Sequence, residues 1–239
     1  MKTILLVVSN PAVSTTTGWP VGFWLSELTH PYHTLKESGY EVTIASPEGG
    51  KVEWDALSNP RDESGYSKHD ELSLKYLDDP AFLAMLEQTP AINDLDLSGF
   101  DGIIVAGGQA PMFTFKEAKN LQDAFLSFYT AGKPSAALCH GTALLLYLNE
   151  DGRPFVQDKK MTGFTNEEEA LADQAAGLKV MPFKIEEEAV MLGADFHKKE
   201  PWTSFAVRDG NLITGQQQES GKEVAELLVS FFREEGVAS

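Results

Sequence analysis

Short apolar runs rich in branched residues alternate with amphipathic stretches along the chain, the pattern of a parallel sheet covered by helices on both faces. Ile4–Val8, Glu41–Ser46, Gly102–Ala106 and Ser135–Leu138 read as strands, with weaker ones near Met161 and over Ser204–Val207. Helices are predicted near Phe23–Ser38, Pro80–Glu87, Lys116–Ala131, Thr142–Leu148 and Glu219–Glu234. In the last of these, Val224, Leu227, Leu228 and Phe231 share one face at helical spacing and are expected to pack into the core. The expected fold class is α/β, a doubly wound, mostly parallel sheet.

Two polar segments interrupt this rhythm. Pro47–Glu71 reads as a long loop, and loops of that length are usually functional covers or insertions. Phe183–Trp202 reads as a short helix and a polar connection before "RDGNLITG", where Asp209-Gly210 suits a tight hairpin. With no repeat or low-complexity linker, a single domain over residues 1–239 is expected, with insertions near 47–71 and 183–202.

Charge narrows the partners. Nineteen basic against thirty-six acidic residues leave a formal charge of −17, which opposes nucleic acid and anionic membrane surfaces and affects a small neutral substrate less. The opening "MKTILLVVSNPAV" is too short for a membrane span and lacks a small-residue cleavage pattern, so a cytoplasmic protein is expected. The one cysteine excludes an internal disulfide and a cysteine cluster for zinc. The histidines His30, His33, His69 and His197 form no convincing ligand set, and Pro31 makes a regular turn between His30 and His33 doubtful. No metal and no cofactor is expected.

That cysteine lies in "SAALCHGTAL". A lone cysteine is more often a packed apolar residue than a nucleophile, but here a strand runs into Cys139-His140-Gly141 and a helix follows at once. This is the geometry of a nucleophile elbow, in which the side chain projects above the sheet and the next backbone N–H, that of His140, faces an oxyanion. The helix N-terminus is expected to favour the thiolate. A second strand end, "DGIIVAGGQAPMFTF", brings Gly107 and Gly108, whose backbone can approach a ligand and donate to it.

The segments "VAGGQAPMFTF", "AALCHGTALLL", "GFWLSELTHPYHTLKESGYEVTIASPEGG" and "DGNLITGQQQESG" resemble, in order over nearly the whole chain, the ThiJ/PfpI superfamily with its class I glutamine amidotransferase-like, flavodoxin-like fold. They are most similar to its heat-shock-chaperone-like branch, which includes glutathione-independent glyoxalases. The resemblance implies Cys139 as nucleophile, His140 as base, and an acid after "MTGFTNEEEALA" at Glu169, with Glu167 and Glu168 one or two residues away. It also implies that Glu27, in "WLSELTHP", hydrogen-bonds the sulfur, which requires a protonated carboxyl. The branch often reads Gly-Gly-His-Gly and Cys-His-Gly-Pro where this chain has Gln109-Ala110 after its glycines and Thr142 after Gly141. Gln109 thus replaces an imidazole that could bind metal or substrate.

The implied activity is a cofactor-free lyase of the glyoxalase III type acting on small dicarbonyls such as methylglyoxal, giving lactate through a hemithioacetal on Cys139. The alternatives are a stress-response holdase or redox sensor, and a cysteine amidase or peptidase. A holdase would need exposed apolar surface, for which Trp19, Phe23, Trp24, Phe113 and Phe115 are the candidates. The resemblance also suggests a homodimer.

Overall fold

A computed structural model describes residues 1–238. Six strands form the central sheet: β1 (Thr3–Val7), β2 (Glu41–Ala45), β3 (Gly102–Val105), β4 (Ser135–Leu138), β5 (Ala206–Asp209) and β6 (Leu212–Gly215). Their spatial order is β5-β6-β4-β3-β1-β2, parallel except for the edge hairpin of β5 with β6. The inner order 2-1-3-4 is the flavodoxin-like winding, whose crevice lies beyond the carboxyl ends of the strands.

Alternation along the strands supplies two cores. Ile4, Leu6, Ile104, Ala136, Leu138 and Ile213 face one side, packing on α1 (Leu25–Glu37) and on α7 (Gly221–Ala238) through Leu28, Leu35, Val224 and Leu228. Leu5, Val7, Ile103, Val105, Ala137 and Leu212 face the other, against Leu121, Phe125 and Phe128 of α4 (Lys119–Thr130). Because both faces are covered, β1, β3 and β4 read as short, largely apolar runs visible in the sequence, whereas the edge strand β2 mixes polar and apolar residues and is partly exposed.

Several elements differ from expectation. Strand β6, the inner neighbour of β4, lies inside the segment expected only as a hairpin turn. Helix α2 (Glu71–Leu77) was not predicted, whereas α3 (Pro80–Glu87) lies at the expected bounds and the short helix expected within 183–202 is α6 (Ile185–Met191). Helix α1 continues through Pro31, so His30 and His33 do share a regular helix; its inward face is clamped by α7, where a side chain at Gly221 would strike the Pro31 ring at 3.0 Å. The stretch after β4 coils as a 3-10 helix from Cys139 to Tyr147 and so begins earlier and more tightly than predicted. Gly141 packs so closely on β3 that a Cβ there would lie 2.7 Å from the Ala106 carbonyl oxygen, leaving no width for a regular first turn.

Candidate active site

Cys139 closes the strand and opens the turn with φ 55°, a left-handed conformation uncommon for a side-chain-bearing residue. The turn is held by the Thr142 hydroxyl, which donates to the Cys139 carbonyl at 2.7 Å. The Thr142 side chain also lies against Gly163, where a Cβ would meet its oxygen at 2.3 Å, so this departure from the branch pattern is accommodated by a glycine opposite.

His140 reaches back toward the sulfur, with Nδ1 3.8 Å from Sγ, and its Nε2 lies 2.7 Å from Glu169 Oε1. A carboxylate partner at Nε2 keeps the proton there and leaves Nδ1 as the acceptor facing the thiol. Phe164 lies over the imidazole with ring centroids 4.2 Å apart. Glu169 stands on α5 (Asn166–Ala176), which starts in a capping box: the Thr165 hydroxyl accepts from the Glu168 amide at 3.1 Å and Glu168 Oε2 accepts from the Thr165 amide at 3.0 Å. The three glutamates therefore separate by role. Glu167 is exposed, Glu168 caps the helix, and Glu169 meets His140. Glu168 Oε1 also accepts from the Trp202 amide and from Gln216 Nε2, which ties down the loop that carries Trp202.

From the opposite side, Glu27 of α1 is fully buried. Its Oε2 accepts from the Gly107 amide at 2.6 Å. Oε1 is buried without a hydrogen-bond partner among the described residues, and the carboxyl as a whole interacts with the Cys139 thiol. Burial pushes the Glu27 carboxyl up to about 8 despite its contacts with the thiol and the Gly107 amide. At neutral pH the carboxyl is therefore mostly protonated.

Burial, followed by the nearby Glu27, pushes the Cys139 thiol well above its ordinary value, against the His140 amide, which points at the sulfur and lowers it. With Cys139 only 3% exposed, this corrects the expectation that the helix N-terminus makes a ready thiolate; desolvation outweighs it. The redox-sensor reading, which rested on an exposed low-pKa thiol, loses that premise. His140 Nδ1, 3.8 Å from Sγ, is the acceptor placed to take the proton of this thiol.

The glycine loop after β3 completes the arrangement. Gly108 has φ 105°, and a Cβ on it would fall 2.4 Å from the Trp24 amide nitrogen. Its N–H donates to no group among the described residues. The residue that sequence reasoning missed is Asp55, 1% exposed at the centre of the polar Pro47–Glu71 segment. Its Oδ1 accepts from the Gly22 amide at 2.9 Å and its Oδ2 from the Gln109 amide at 2.7 Å, pinning the glycine loop to the chain entering α1. Burial raises Asp55 to about 7, opposed by these two amides and by His140.

Cys139, His140, Gly108, Gln109 and Glu169 line one cavity of about 420 Å³, walled by Trp19, Trp24, Phe164, Leu171, Met181 and Trp202. Of the apolar residues considered for a holdase surface, Phe23 and Phe115 are core, Trp24 is a cavity wall, and Trp19 is 41% exposed at the same cavity. The four remaining histidines lie elsewhere: His30 pairs with Asp70 at 2.8 Å, His33 with the Tyr76 hydroxyl at 3.0 Å and His197 with Asp195 at 3.0 Å, while His69 lines a separate polar cleft.

Comparison with known proteins agrees with this architecture. The chain is 30% identical over 228 residues to the glutathione-independent glyoxalase HSP31 of Saccharomyces cerevisiae, covering 94% of each chain. Two solved structures superpose on it over nearly their full lengths. One is the Rapid Encystment Protein 24 kDa of Francisella tularensis, with TM-score 0.85 and 28% identity over 97% of this chain and 99% of that one. The other is glyoxalase III of Candida albicans, with TM-score 0.79 and 28% identity over 96% and 97%. The DJ-1/PfpI family model matches residues 21–230, from just before α1 into the last helix, and the chain belongs to the DJ-1/PfpI family.

Proposed function

We propose that the protein converts small 2-oxoaldehydes to 2-hydroxy acids without glutathione, turning methylglyoxal into lactate on Cys139. The observation that carries this reading is the convergence on Sγ of an acceptor, His140 Nδ1, and a protonated carboxyl, Glu27, in a chain about 30% identical throughout to a relative named a glutathione-independent glyoxalase.

The Cys139 thiol adds to the aldehyde carbon. An S–C bond forms, the thiol proton passes to His140 Nδ1, and the oxyanion faces the N–H groups of Gly108 and His140. Return of that proton to the oxygen gives a hemithioacetal and restores neutral His140. His140 then removes the hydrogen from C1 while Glu27 gives its proton to the C2 carbonyl oxygen, which makes an enediol. Reprotonation at C2 and loss of the C1 hydroxyl proton leave a 2-hydroxyacyl thioester. Water hydrolyses the thioester and releases the acid and the free thiol. C1 is oxidised and C2 reduced within one molecule, so the sum is the addition of water and no external oxidant or reductant is needed. Glu169 holds the imidazole and balances its transient positive charge. A thiol that must stay reduced suits the cytoplasm.

A panel of methylglyoxal, glyoxal and simple amides, offered without glutathione to the wild type and to Cys139→Ala, tests the reading. Lactate from methylglyoxal by the wild type alone supports it. Amide hydrolysis without dicarbonyl consumption would replace it with the amidase reading.

A further inference from the structure

The cavity above Cys139 is larger and more apolar than methylglyoxal requires. Its volume of about 420 Å³ lies in the range that encloses drug-sized ligands. Methylglyoxal, with three carbons, fills on the order of 100 Å³, the share of three or four waters. A substrate that small would leave most of the cavity to solvent and most of its apolar wall unused.

The composition of the wall says what would fill the rest. On α5, Glu169, Ala172 and Ala176 recur at helical spacing, so the face that begins at the partner of His140 runs outward for about 10 Å as alanine. Ala175, Val180 and Met181 widen the same wall. No Lys or Arg lines the cavity, so nothing there would neutralise a phosphate or carboxylate on a substrate, and the chain's net charge of −17 disfavours both.

The polar end carries an unused donor. Gly108 lines the cavity beside Cys139 and Gln109, and its N–H donates to no group among the described residues. An oxygen of the hemithioacetal or enediol would accept from it. With the oxygens of the substrate held there, the group on C2 is left to point along the alanine face.

We propose, resting on the glyoxalase reading, that the substrates this site is shaped for are neutral 2-oxoaldehydes bearing a bulky apolar group on C2, such as an aryl or branched alkyl group. The chemistry is unchanged, since the thiol still adds to C1 and the hydrogen still moves from C1 to C2. The apolar group raises kcat/KM by being buried against Ala172, Ala175 and Met181.

The test compares kcat/KM for phenylglyoxal and methylglyoxal in the wild type and in Ala175→Trp, whose indole fills the outer cavity. The expected wild-type ratio is about tenfold or more in favour of phenylglyoxal, in line with the discrimination of apolar pockets. In Ala175→Trp that ratio falls toward one. A wild-type ratio of one or less, or a ratio that Ala175→Trp does not move, overturns the inference. If circular dichroism shows that Ala175→Trp is unfolded, Ala172→Leu takes its place. If the folded wild type consumes neither compound, the glyoxalase reading is what fails. Titration of tryptophan fluorescence with the neutral amides mandelamide and lactamide then decides the inference: tighter mandelamide binding sustains it and equal or weaker binding refutes it.

Discussion

His140 and Glu169 are 29 residues apart in sequence and 2.7 Å apart in space, Nε2 to Oε1, with both side chains buried. The contact fixes the tautomer that leaves Nδ1 facing the thiol. Replacing Glu169 with Ala should lower kcat/KM by about 10²- to 10⁴-fold while the protein stays folded. Steady-state kinetics on the variant, with circular dichroism as the control, checks this. Loss of less than threefold would remove Glu169 from the site.

Glu27 predicts an alkaline limb in activity. Its carboxyl is raised to about 8, so the proton that the proposed mechanism draws from it for the C2 oxygen is present below that pH and lost above it. kcat/KM should therefore fall as pH rises through about 8. Glu27→Gln should be much less active and should lack that limb. A pH–rate profile of both proteins measures it.

The same two raised carboxyls govern stability. For Glu27 the folded value of about 8 exceeds the ordinary 4.5, and for Asp55 about 7 exceeds 3.8. Between each pair of values the folded state holds a proton that the unfolded chain has released. Their contribution is thus complete below the ordinary values and is lost as pH rises to the folded ones, by up to about 1.4 kcal/mol per group and pH unit. Denaturant melts from pH 5 to 9 should show a decline that is shallower in Asp55→Asn than in the wild type.

Asp55 should act on turnover through the glycine loop. Asn in its place can accept from only one of the Gly22 and Gln109 amides and turns an NH2 toward the other. The loop that carries Gly108 would shift, costing roughly 1–3 kcal/mol of stability for the unpaired amide and up to about 10²-fold in kcat for a misplaced oxyanion donor. A lower kcat with little change in KM is the expected signature. A purely structural role would lower stability and leave kcat per folded molecule unchanged.

Gly107 should tolerate no side chain. A Cβ there would lie 2.7 Å from Glu27 Oε2 and 2.8 Å from both the Gly141 nitrogen and the Leu138 carbonyl oxygen. Gly107→Ala should cost about 1–3 kcal/mol, as overpacking does. It should also disable the site by displacing Glu27. Calorimetry and kinetics on the one variant report both effects.

Local pattern made Cys139 visible as a candidate nucleophile, because strand, tight turn and following helix are contiguous around it, and a strand end followed by a turn likewise marked Gly107-Gly108. Glu27 and Glu169 were reached only through family resemblance. Partners 80 and 29 residues away leave no spacing signal, and the acidic triplet 167–169 reads equally well as a solvated first turn. Asp55 was missed because its polar segment has no periodicity; its only mark is an aspartate placed before the short turn Ala56–Ser58. Strand β6 was missed because four residues following a turn are too few to show a pattern, although in the sheet all four are buried.

The proposed chemistry depends on a covalent bond between Cys139 and the carbon skeleton of the substrate. Acid-quenching the enzyme during turnover of methylglyoxal and mapping its peptides by mass spectrometry tests it most directly. An adduct of one methylglyoxal mass is expected on the peptide that carries Cys139, absent from Cys139→Ser and accumulating in Glu169→Ala. Lactate formation at the wild-type rate by Cys139→Ser, with no adduct on any peptide, would contradict it.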